Sequence, residues 1–69
     1  MKNYRISIKP EDIKRLKDDF AHLTDSKLFT VGSTSAVAAF DAVISEEDVS
    51  YLKLRYKFIL FYAQDGYIN

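Results

Sequence analysis

His22 is the only histidine in the chain, and Asp18 stands four residues before it. On a helix that spacing sets a carboxylate beside the imidazole, where it can raise the ring's proton affinity or share a metal ion. One imidazole and one carboxylate do not complete a site, and there is no second histidine and no cysteine to join them. Gly32-Ser33-Thr34-Ser35 carries the hydroxyls of a phosphate-cradling turn. It lacks the further glycine and the following lysine of a P-loop, so Ser35 reads instead as a helix N-cap. Serine has no evident base to activate it, which leaves nucleophilic catalysis without a partner residue. Glu46-Glu47-Asp48 could suggest a metal cluster. Adjacent residues on a helix fan out by about 100°, so the three cannot converge on one ion and are better read as stabilising a helix start. The chain reads as non-catalytic, with no metal and no cofactor.

Residues 51–62, Tyr51-Leu52-Lys53-Leu54-Arg55-Tyr56-Lys57-Phe58-Ile59-Leu60-Phe61-Tyr62, interleave cations with aromatics. Such a stretch can serve nucleic acid, with Lys53, Arg55 and Lys57 on phosphates and Tyr51 and Tyr56 stacking on bases. Zero net charge over 69 residues argues against a general nucleic-acid coat, so this is the alternative reading. On a helical wheel the same stretch carries two apolar stripes. Val49, Leu52, Tyr56, Ile59, Leu60 and Ala63 form one, suited to the domain's own core. Tyr51, Leu54, Phe58, Phe61 and Tyr62 form the second, roughly 150° around the helix. With few elements left to cover it, the second stripe is expected to face a partner, either another copy or a different protein. The function expected is a non-catalytic interaction module, homodimeric, that regulates or inhibits another macromolecule.

The elements that must position these residues follow from their periodicity. Tyr4, Ile6 and Ile8 alternate with Arg5 and Ser7, a short strand with one buried face. Pro10, Glu11 and Asp12 open a helix over about 10–23 whose stripe is Ile13, Leu16, Phe20 and Leu23. Leu28–Val31 is a candidate second strand, paired in parallel with the first through a crossover. The alanine-rich run 36–44 reads as a helix over about 35–44. Ser45 caps a last helix over about 46–64, stopped by Gly66. The fold class expected is α+β and mostly helical. The rival reading is β-α-β-β-β, because Leu52, Leu54, Tyr56 and Phe58 also alternate with cations, which would make 38–44 and 51–62 a hairpin.

Sixty-nine residues make one domain, 1–69, with a core that supplies only about 3–5 kcal/mol unaided. Disulfides cannot supplement it. No run approaches the roughly 20 apolar residues that span a bilayer, and Met1–Arg5 lacks the apolar core of a signal peptide. A cytoplasmic location is the expectation.

Overall fold

The computed structural model describes residues 1–64. The alternating N-terminal residues form β1 (Lys2–Ile8), with Ile6 and Ile8 completely buried. Pro10 ends the strand and starts a single 3-10 turn that runs into α1 (Ile13–Ala21). Leu16 and Phe20 of the expected stripe are buried in the core, and Ile13 and Leu23 pack against its edge. β2 (Lys27–Ser33) contains the expected strand at 28–31 and turns into β3 (Ala38–Ile44). Thr34 builds that turn. Its Oγ1 accepts the backbone N–H groups of Ala36 and Val37 at 3.1 and 3.2 Å, and its own N–H donates to the Val37 carbonyl at 2.8 Å. The hydroxyl cluster therefore makes a hairpin, and Ser35 caps no helix.

The mostly helical expectation is overturned. Residues 35–44, expected as a helix, are the hairpin turn and β3, whose Ala38, Phe40, Ala42 and Ile44 are all buried. Alanine's helix preference is worth less than about 1 kcal/mol per residue, and pairing with a strand on each side outweighs it. The helix expected over 46–64 is α2 (Glu46–Arg55), followed by β4 (Ile59–Ala63). The Ser45 cap is real: its Oγ accepts the Asp48 N–H at 3.2 Å. The helix ends because Tyr56 turns extended, at φ −117° and ψ 135°. The Arg15 guanidinium then satisfies the freed Arg55 carbonyl at 3.0 Å. Gly66, the expected stop, lies outside the described residues. The β-α-β-β-β alternative fits better, because it made 38–44 a strand and gave the C-terminal stretch strand character. It erred in making the last two strands neighbours and in omitting α2.

The four strands lie in the order β2-β3-β1-β4, every neighbouring pair antiparallel. β1 and β2 are parallel, as the crossover expectation had them, but β3 is threaded between them. β1 likewise separates β3 from β4. The element order β-α-β-β-α-β with this strand order is the split βαβ, or ferredoxin-like, topology. Leu16, Phe20, Val49, Leu52 and Tyr56 of the helical layer close over Ile6, Ile8, Phe40 and Ile44, and the core sits between that layer and one face of the sheet. Among the described residues no helix covers the other face.

Candidate functional site

The strand register places the residues of the open face in rows. Phe29 pairs with Asp41, Asp41 with Arg5, and Arg5 with Tyr62, so one row reads Phe29, Asp41, Arg5, Tyr62 across all four strands. The row on one side is Gly32, Ala39, Ser7, Leu60, and on the other Lys27, Val43, Asn3. At the centre the Arg5 Nε donates to Asp41 Oδ1 at 2.6 Å, a short charge-assisted bond. Phe29, Leu60 and Tyr62 stand around it with 53%, 42% and 52% of their surface exposed. Val31, at the irregularity where β2 shifts register against β3, is exposed as well. Large apolar side chains flanking a neutralised ion pair are the composition of a contact surface: the apolar groups favour leaving water, and the paired charges resist it less than single ones.

Of the expected interaction residues, only Tyr62 belongs to this face. Tyr51 and Leu54 are exposed on α2, and Phe58 is exposed in the link between α2 and β4. Phe61 points to the covered face, where its ring meets Tyr4 edge-on at 5.7 Å and Lys53 Nζ lies 6.0 Å from its centroid. The five do not share a helix, and they divide between opposite sides of the molecule. The wheel failed because helical geometry stops at Arg55, beyond which alternate residues, not every third or fourth, share a side. Phe29, Arg5, Asp41 and Leu60 were missed as site residues. Strand alternation in 4–8 and 38–44, read together, was the signal that could have found Arg5 and Asp41; Phe29 and Leu60 join them only through the register of β2 and β4.

Two residues of the nucleic-acid alternative, Arg55 and Tyr56, are held within the domain. Asp19 on α1 accepts from Arg55 Nε and Nη2 at 3.1 and 3.0 Å and from the Tyr56 hydroxyl at 2.5 Å. Arg15 lies 4.6 Å above the Tyr56 ring, and Arg55 lies 5.4 Å from the Tyr51 ring. Tyr56 is buried and has no free face on which a base could stack. Partial burial pushes the Asp19 carboxyl upward, but the bonds from Tyr56 and Arg55 outweigh that and hold it below the ordinary aspartate range. The Tyr56 phenol is raised by burial and by its bond to Asp19. The cluster is a clasp between the two helices. Beside it a groove of about 400 Å³ is lined by Lys9, Arg15, Arg55 and Lys57, with the carboxylates Glu11 and Asp12 among them.

Of the residues weighed for chemistry, His22, Glu46 and Asp48 meet partners within the chain. His22 Nδ1 lies 2.9 Å from the Asp18 carbonyl oxygen, a backbone contact in place of the expected carboxylate. Glu46 accepts the Tyr4 hydroxyl at 2.9 Å and faces Lys2 Nζ at 3.4 Å, and these two hold its carboxyl below the usual range. Asp48 accepts the Ser26 hydroxyl at 2.9 Å. Among the described residues no group of three or more His, Asp or Glu is placed to hold a metal ion, and no helix is long and apolar enough to cross a membrane. No protein family, curated protein or solved structure matches the chain.

Proposed function

We propose that this protein is a non-catalytic interaction module that binds another protein surface through the open face of its sheet and so regulates or inhibits a macromolecule. A cytoplasmic location belongs to the same proposal. The observation that carries it is the asymmetry of the sheet. One face is closed by two helices, while the other presents Phe29, Leu60 and Tyr62 roughly half exposed around the Arg5–Asp41 pair. The topology does not bear on the choice, because one fold hosts many functions.

Support is weaker for nucleic acid. The open face carries Arg5 and Lys27 against Asp41, and Arg5 is already paired with that carboxylate. Few phosphates could be neutralised by such a face, which would leave binding weak and steeply dependent on salt. The test is a capture experiment with the tagged chain and a Phe29→Lys/Tyr62→Lys variant of unchanged circular dichroism. A protein, whether a second copy or another chain, should be retained by the first and lost with the variant. Equal retention by both, or retention of nucleic acid alone, would sink the proposal.

A further inference from the structure

We infer that the open face is built to pair with a second copy of itself, face to face, about a two-fold axis that runs parallel to the strands between β3 and β1. The inference rests on the reading of that face as an interaction surface and names its occupant. The central row reads Phe29, Asp41, Arg5, Tyr62 from one edge of the sheet to the other. Rotation about such an axis reverses the row. Each Arg5 then faces the other copy's Asp41, and each Phe29 faces the other copy's Tyr62. The order aromatic, acid, base, aromatic is its own complement under that operation, as an isologous interface requires.

Electrostatics selects this axis over the others. A two-fold axis along the row would set Arg5 against Arg5 and Asp41 against Asp41, and like charges in apposition repel. The strand-parallel axis makes four alternating charges instead. About a third of the Arg5 side chain and a fifth of Asp41's remain exposed, at 33% and 19%, so both are reachable from the face. Two twisted sheets pack face to face with their strands about 30° apart, which keeps the register best at the centre, where the ion pair lies. Ala39 and Ser7 in the adjoining row are small enough to admit side chains from the other copy.

The area is sufficient for a dissociable dimer. Four strands about 4.8 Å apart and six residues long, at about 3.4 Å per residue, present roughly 400 Å² in projection. With side-chain relief on both copies, pairing removes on the order of 1,000 Å², at the lower bound of specific interfaces. A foreign protein is the less economical occupant, since it would need to bring a charge pattern that a second copy already carries.

The decisive experiment is a charge swap. The variant Arg5→Asp/Asp41→Arg keeps the ion pair within each chain but inverts it. Wild type and variant should each sediment as dimers at tens of micromolar. Mixed in equal amounts and analysed by native mass spectrometry with one species mass-labelled, they should form mixed dimers about tenfold below the statistical half, because a mixed pair apposes like charges. Statistical mixing would overturn this register. A wild type that stays monomeric to about 100 μM would overturn the second copy as occupant. In that case a different protein held by the wild type and released by Phe29→Lys/Tyr62→Lys would leave the broader interaction reading standing, whereas no loss would end both. Should the swapped variant not fold, Tyr62→Lys alone decides: a folded monomer supports the pairing, and an undiminished dimer refutes it.

Discussion

The two faces of this sheet are made by the same strands and differ in almost everything else. On the covered face Ile6, Ile8, Phe40 and Ile44 stand against Leu16 and Leu52, and each of these side chains is almost wholly removed from water. On the open face Ala39, Ser7 and Asn3 are small or polar, the tall residues at the centre are an ion pair, and the aromatics stand at the edges. A core tolerates neither empty volume nor unpaired charge, so its residues answer to the chain's own packing. The open face is free of that constraint, and its large apolar residues stay about half exposed in the monomer. Residues whose presence folding does not explain are the ones to examine for function.

The largest effect is expected in the core. Phe40→Ala should lower unfolding free energy by about 3–5 kcal/mol, which in so small a domain approaches complete unfolding. Urea titration followed by circular dichroism measures it. A loss below about 1 kcal/mol would mean that the covered face is not the core described here.

The clasp between the helices comes next. Asp19→Ala leaves the buried Tyr56 hydroxyl and the Arg55 guanidinium without their acceptor, and about 1–3 kcal/mol should be lost. The carboxyl of Asp19 lies lower in the folded chain than in the unfolded one. Its contribution is therefore complete above the unfolded value near pH 4 and disappears as pH falls through the folded value. Melting temperature recorded between about pH 5 and pH 2 should fall more steeply for the wild type than for Asp19→Asn. Parallel curves would remove the clasp from the account of stability.

Ser45→Ala deletes the cap of α2 and should cost about 1 kcal/mol, read in the same urea titration. Ser45→Gly should recover most of that loss, which distinguishes capping from packing.

The smallest effects belong to the open face. Phe29→Ser and Tyr62→Ser should each change the stability of the dilute monomer by no more than about 0.5 kcal/mol. The same substitutions should abolish any rise of melting temperature with protein concentration, because only a folded partner links the two. A monomer destabilised as much as by Phe40→Ala would erase the distinction between the faces.

The sequence alone determined the first strand and the first helix. Tyr4, Ile6 and Ile8 show period two within a window no helix fits, and Ile13, Leu16, Phe20 and Leu23 show period three to four behind a proline. Ser45 followed by three acids marked where α2 begins, because capping is a contact between residues close in sequence. Three matters were decided by tertiary structure. Ala38 to Ile44 satisfies both periods, and strands on both of its sides chose the extended form. The end of α2 at Arg55 depends on Arg15 and Asp19, some 36 to 40 residues away, which no local window contains. The open face, finally, exists only once β3 and β4 have come to lie on either side of β1. Arg5, Asp41, Phe29 and Tyr62 are remote in sequence and adjacent in the sheet, because hydrogen-bond register, a property of paired backbones, sets them in one row.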